Sequence, residues 1–289
     1  MVFSRIVYNS LFAASLASAA ASSNNWAGGQ HTDKGRVVQA SVDIVVPECT
    51  LGTPAYQTVP YFFTGWAGID GTAACPHALL QAGRSCFVKS IKIVVVAHIR
   101  SGFDCTVTEV NNVTTTQWET WTEWFPAQQQ PYSDFEVQTG DVVSIRINAD
   151  STTSGSTFMH NHRTGKSVHT SYANQTTPLC LDSAEWVIES ELGFGPFGPD
   201  GERTAGYTPF KFEHASYTTK GMSDRSPVQD IQRYKNFTDF FSDGKKHLSK
   251  QEDMFNMVQN GTEVAEGVYK RDGFFEVVNV TPADFLAGE

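Results

Sequence analysis

Apolar and polar residues alternate with a period of two along much of this chain, as they do in half-buried strands. Val37 to Val46 alternates around Gln39, Ser41 and Asp43 and stops at Pro47. Val142 to Ala149 alternates around Ser144, Arg146 and Asn148, after the turn residues Thr139-Gly140-Asp141. Tyr61 to Ile69 is aromatic-rich and ends at Asp70-Gly71, and Trp118 to Phe125 ends at Pro126. Ile91 to Ile99 is a run rich in β-branched residues, and Ala184 to Glu189 is a further strand. Thr157 to His162 and Lys166 to Tyr172 flank Arg163-Thr164-Gly165 as the arms of a hairpin. Turn signals recur at roughly 8–12 residues, the rhythm of an antiparallel sandwich or barrel. No amphipathic helix is predicted before residue 225. A helical period shows only over Lys246 to Val258, with Leu248, Met254 and Met257 as its apolar positions. The simplest organisation is one all-β domain over residues 22–289. Residues 235–271 then read as an insertion between two last strands, Val228 to Tyr234 and Phe274 to Val280.

Composition narrows the class. The 289 residues carry 21 Lys+Arg against 31 Asp+Glu, a net charge of −10, so no basic patch for nucleic acid or an anionic membrane is expected. Hydrophobic residues make up 40%, enough for a packed core rather than a disordered chain. Residues 1–21 read as a signal peptide: Arg5 gives a positive start, and an apolar stretch ends in Ala17-Ser18-Ala19 and Ala19-Ala20-Ala21. A secreted, extracellular, soluble monomer is the expectation. Disulfides are then permitted among Cys49, Cys75, Cys86, Cys105 and Cys180, with at least one left over in the chain. The sequons at Asn112, Asn174, Asn236, Asn260 and Asn279 suit the same route and are candidate glycosylation sites.

Several chemistries lack their residues. The chain has no G-x-S-x-G elbow, no H-E-x-x-H zinc helix and no Asp-Thr-Gly or Asp-Ser-Gly. Gly165-Lys166-Ser167 lacks the earlier glycine of a phosphate loop and reads as a turn. His160 and His162 share a strand face, but no third ligand is placed beside them, so no metal and no cofactor is expected. What remains is a set of carboxylates set among tryptophans on strands. Glu185 and Glu189 share a face, Glu123 lies between Trp121 and Phe125, and Trp66, Gly68 and Asp70 fall on one face. Carboxylates in such surroundings are costly to desolvate unless paired or used.

These segments resemble those of the glutamic peptidases, or eqolisins, which are secreted, acid-acting endopeptidases found mainly in fungi. In order they are Asn25-Trp26-Ala27-Gly28, Trp66 to Gly71, Cys75 with Leu80-Gln81-Ala82-Gly83, Trp121 to Pro126, Gly140-Asp141, Asn161 to Gly165, and Cys180 with Ala184 to Glu189. The resemblance runs over about Asn24 to Phe212. It implies a sandwich of two bent antiparallel sheets, concanavalin-like or jelly-roll in architecture, with the site on a concave face. It implies Gln81 and Glu189 as the catalytic pair, Trp26 and Trp66 as tryptophans lining the site, Asp70 and Glu123 as supporting acids, and a Cys75–Cys180 disulfide. Closing a loop of that length contributes about 4–5 kcal/mol on the loop-entropy estimate. Protein or peptide substrates follow from the same resemblance.

The pair makes chemical sense. Peptide hydrolysis needs a base for water and a donor for the developing oxyanion. A Glu titrating near ~4.3 stays partly ionised in acid, where a His base near ~6.5 is protonated. The amide of Gln81 keeps its donor at any pH. The chain also departs from the resemblance. No propeptide is expected between the signal and Asn25-Trp26, Ser85 stands where relatives have a site acid, Phe87 to Gln117 is long for its connection, and the region after about Gly221 differs most. Cys86 and Cys105 are expected to pair across Ile91 to Ile99, leaving Cys49 over. Two other classes stay open, a glycoside hydrolase using Glu185 and Glu189, or a non-catalytic carbohydrate- or protein-binding sandwich. In the first, the two Cα atoms stand ~13 Å apart along the strand, and the glutamates lack the acid between them that the relevant glycosidases have, since Val187 stands there.

Overall fold

The computed structural model describes residues 21–23, 25–50, 61–72, 75–90, 105–110, 113–189, 203–204, 206–220, 246–249, 253–259 and 262–280. The expected strands at Ile91 to Ile99 and Val228 to Tyr234 lie outside them, as do residues 1–20 of the expected signal peptide. The strands are β1 (Ala21–Ser23), β2 (Trp26–Thr32), β3 (Val37–Val45), β4 (Cys49–Thr50), β5 (Tyr61–Asp70), β6 (Leu79–Ser90) and β7 (Cys105–Val110). They continue with β8 (Val113–Phe125), β9 (Gln130–Pro131), β10 (Val142–Ala149), β11 (Gly155–Asn161), β12 (Ser167–Tyr172) and β13 (Ser183–Glu189). The last are β14 (Arg203–Thr204), β15 (Gly206–Tyr207), β16 (Phe210–Thr219), β17 (Lys246–His247), β18 (Met254–Gln259), β19 (Thr262–Arg271) and β20 (Phe274–Asn279).

Apart from the β4–β15 pair, the strands join in one ladder that folds over into two layers. The front layer runs β8–β6–β5–β13–β2, all antiparallel. Strands β18, β19 and β20 carry the ladder round the side. The back layer follows as β16–β3–β10–β11–β12. Alternation fixes which face packs inward. Phe63, Ala67, Ile69, Leu80, Ala82, Ala184, Trp186 and Ile188 of the front meet Val42, Ile44, Val143, Ile145, Ile147, Met159 and Phe212 of the back, all buried. Trp186 sends its indole N–H across the layers to the Ser41 carbonyl at 3.0 Å. At one end Thr122 bonds Thr157 at 2.7 Å and Tyr172 at 2.9 Å, tying β8 to the β11–β12 hairpin. The architecture is the all-β sandwich that the strand pattern predicts.

The described part of the segment expected to be helical is mostly strand. Lys246–His247 and Met254–Gln259 are strands. Met254, Phe255, Asn256 and Met257 are all buried, because β18 lies between β2 and β19 with both faces covered. A strand buried on both faces loses its period of two, and the spacing of Leu248, Met254 and Met257 then imitates a helix. The 235–271 stretch is described only in part. Its described part holds β17, β18 and β19, which are laced into the ladder. Phe274–Asn279 is a strand, as expected.

Two sequence segments acquire a structural role. Asp141, buried before β10, accepts from Arg163 Nε at 2.5 Å and Nη2 at 3.1 Å, from Asn161 Nδ2 at 2.7 Å and from the Gln138 amide at 3.0 Å. Desolvation acts to raise its pKa, but these donors, Arg163 foremost, hold the carboxyl below its usual range. The Arg163-Thr164-Gly165 turn is thereby pinned, with Gly165 at φ 69° closing it onto Asn161. The Cys75–Cys180 disulfide is present. Cys49 is also disulfide-bonded, so it is not the cysteine left over.

Candidate active site

The outer face of the front layer carries the candidate residues in three cross-strand rows. Glu185 on β13 faces Gln30 on β2 and Gly68 on β5, and Gly68 leads on to Gln81 on β6 and Glu123 on β8. The next row on that face is Gly28, Val187, Trp66, Gly83 and Trp121. The third places Trp26, Glu189 and Thr64 side by side. Gln81 and Glu189 thus share one face, two rows apart, with Trp66 in the row between. Rows on one face repeat at about 6–7 Å.

Trp66 spans the gap. Its indole N–H donates to Glu189 Oε2 at 2.9 Å. Its six-membered ring lies over Gly68, where an added Cβ would sit 3.0 Å from Cζ3. A Cβ at Gly83 would come within 2.2 Å of Trp66 Cβ and 2.5 Å of the Gly65 carbonyl. The two glycines are therefore what lets this indole lie flat along the sheet. Trp26 stacks edge-on against it with centroids 4.9 Å apart. Glu189 is half-buried and takes a second bond, from Asn25 Nδ2 to Oε1 at 3.3 Å. Gln81 is buried and donates through Nε2 to Glu123 Oε2 at 2.5 Å. That bond uses one of its two amide hydrogens and fixes the plane of the amide. Gln81 Oε1 has no hydrogen-bond partner among the described residues.

Two carboxyls on this layer are sealed from solvent. Asp70 is fully buried and accepts from three successive backbone amides, Cys180 at 2.8 Å, Leu181 at 2.9 Å and Asp182 at 2.8 Å. It holds the loop that the disulfide anchors, and desolvation still raises its pKa despite those bonds. Glu185 is fully buried, and neither of its carboxyl oxygens has a partner within hydrogen-bonding geometry. Desolvation pushes its pKa well above the usual carboxylate range; nearby Ser183 softens the effect and Asp70 adds to it. A sealed Glu185 cannot act with Glu189 as the two-carboxylate pair of a glycosidase, which must reach substrate.

The structure therefore brings together Trp26, Trp66 and Glu189 in one cluster and Gln81 with Glu123 in another, on the same face. It turns Asp70 inward onto backbone. Asn25 escapes the sequence reading as a contact of Glu189, although it stands beside Trp26. Among the sequons, Asn174 and Asn279 are exposed, while 112, 236 and 260 lie outside the described residues or side chains. The one cluster of three His, Cys, Asp or Glu donors found among the described residues is Cys75, His77 and Cys180, whose two sulfurs are bonded to each other. His160 and His162 sit edge to face at 4.9 Å on the outer face of the back layer, away from these residues.

The Peptidase A4 family pattern matches residues 24–248. The chain belongs to the Peptidase A4 family. Aspergillopepsin-2 of Aspergillus niger is 27% identical over 198 residues, 61% of this chain and 61% of that protein. Scytalidopepsin B of Scytalidium lignicola is 28% identical over 164 residues, 55% of this chain and 53% of that protein. The chain thus spans about half to three fifths of these relatives. In fold it is similar to scytalido-glutamic peptidase solved with a peptide-based transition-state analogue, at TM-score 0.59 and 21% identity, covering 89% of this chain and 98% of that one. A second structure, of an eqolisin with the tripeptide Ala-Ile-His, gives TM-score 0.57 at 21% identity over 89% and 98%. The A4 match takes in every row described above.

Proposed function

We propose that this A4-family chain is a secreted acid endopeptidase that hydrolyses peptide bonds of protein substrates with Glu189 and Gln81. The observation that carries the reading is the shared face: a half-buried carboxylate held by Trp66 and Asn25, and a buried amide held by Glu123, with an indole laid between them. In this reading Glu189 takes a proton from a water as it attacks the scissile carbonyl carbon. The free amide hydrogen of Gln81 donates to the oxyanion of the tetrahedral intermediate. Glu189 then returns the proton to the departing nitrogen, and the C–N bond breaks. Glu123 keeps the amide turned so that its second hydrogen points outward. The Trp66 N–H favours the ionised form of Glu189 and fixes its direction. Peptide recognition by the relatives' structures supports the substrate class.

Casein digestion in acid tests the reading. Gln81→Ala and Glu189→Gln should each lose activity by a hundredfold or more, on the scale of a lost oxyanion donor, about 10²–10³. Near wild-type digestion by either variant would sink the assignment. A β-glucan offered in the same buffer should remain uncut.

A further inference from the structure

Glu185 has no part in that chemistry, yet it sits at the centre of the sheet that performs it. It lies on β13 four residues before Glu189, between Gln30 of β2 and Gly68 of β5. It is fully buried, and both carboxyl oxygens lack a hydrogen-bond partner in the described structure. Among the described residues, the groups that neighbour it along the sheet are few. From β5 come Trp66, Gly68 and Asp70; from β2, Gly28 and Gln30; from its own strand, Ser183 and Val187; and one strand further along its row, Gln81 and Glu123. None of these is Lys, Arg or His, and Asp70, which acts on it electrostatically, carries the wrong sign to receive its charge. A carboxyl in such a place is tolerated as the neutral acid and not as the anion.

We propose that Glu185 is a proton-held lock, a neutral acid that keeps β13 seated between β2 and β5 and whose ionisation unseats the strand that carries Glu189. Its effect on stability stands by itself. Its effect on activity rests on the peptidase reading above. The sign follows from linkage. The folded chain binds this proton more tightly than the unfolded one, so the stability it supports is whole below the unfolded value, 4.5. It is lost as pH climbs from there toward the raised folded value. Asp70, also raised, adds to the same trend.

Urea unfolding across about pH 4 to 7 tests the lock, in a Glu189→Gln background so that self-digestion does not enter. The unfolding constant should rise with pH, and Glu185→Gln should reduce that rise by up to about tenfold per pH unit, the slope of one proton. The variant should match its parent or fall below it in acid and exceed it near neutrality. Equal slopes, or a loss of equal size at every pH, would overturn the lock. Glu185→Met is the second variant. An amide and an apolar side chain should both replace a neutral acid, so failure of both to fold in acid would also overturn it. With Glu189 intact, the alkaline limb of the rate should move to higher pH in Glu185→Gln. A flattened stability profile with no digestion at any pH supports the lock and removes the peptidase reading instead. A flattened stability profile with an unmoved alkaline limb overturns the link to Glu189.

Discussion

Asp141 and Glu185 are both buried carboxyls in one sandwich, and acid should act on them in opposite directions. Asp141 receives four hydrogen bonds, two from a guanidinium, and is held as the anion. Glu185 has only the Ser183 hydroxyl beside it, outside hydrogen-bonding geometry, and is held as the acid. Burial is common to both, so burial does not decide the outcome. What decides it is whether the fold supplies donors to the charge it has removed from water. Asp141 supports the back layer above its unfolded value, 3.8, and loses that support as pH falls. Glu185 supports the front layer below its own unfolded value and loses that support as pH rises. The front layer, which carries the candidate site, is thus the one suited to acid.

The largest expected break in this contrast is Asp141→Ala. It leaves the fully buried Asn161 amide with only the Glu136 carbonyl and strips the pinned turn of the partner of Arg163, and should cost about 3 kcal/mol in urea unfolding at neutral pH. That loss should shrink as pH drops below the usual Asp range, because the parent then loses the same anion. An undiminished loss in strong acid would mean that packing, not charge, is what Asp141 supplies. A smaller effect on activity is expected from Trp66→Phe, which removes one N–H from Glu189 together with the outer ring that lies over Gly68. About 1.5–2 kcal/mol of bonding to a charged group corresponds to a ten- to thirtyfold fall in kcat/KM, beside a stability loss of about 1–3 kcal/mol from the vacated volume. Unaltered kinetics would show that Asn25 suffices to hold Glu189. The smallest effect belongs to Glu185→Gln in acid, within about 1 kcal/mol of the parent in thermal unfolding, since one neutral group there replaces another.

Legibility in the sequence followed the alternation of polar and apolar side chains. Val142 to Ala149 showed its alternation and was placed to the residue, although Ser144, Arg146 and Asn148 on its polar side are as buried as Val143, Ile145 and Ile147. Met254–Gln259 has no wet face and read as a helix. The tryptophans, Gln81, Glu123 and Glu189 stood out because polar groups among aromatics need a reason, and the ordered motifs supplied one. Their partnerships did not stand out. Nothing local in the chain tells that the Trp66 indole reaches Glu189 or that Gln81 is spoken for by Glu123, because each bond joins residues 123 and 42 positions apart. Glu185 was visible as a glutamate on a strand but not as a sealed one. Its burial comes from β2 and β5 on either side, with a glycine facing it from β5. Gly140-Asp141 and Asn161 to Gly165 were recognisable only as segments, and geometry alone gives them the task of holding a hairpin.

The wrap of β18 to β20 also decides where this chain can be cut. The A4 family match ends at residue 248, yet β18 closes the open side of β2 and β20 closes that of β16. A fragment trimmed to that boundary would bare two rows of backbone N–H and C=O at once, one of them on the strand that bears Trp26. Bare rows of that kind recruit other chains, so the shortened protein would be prone to stack edge to edge.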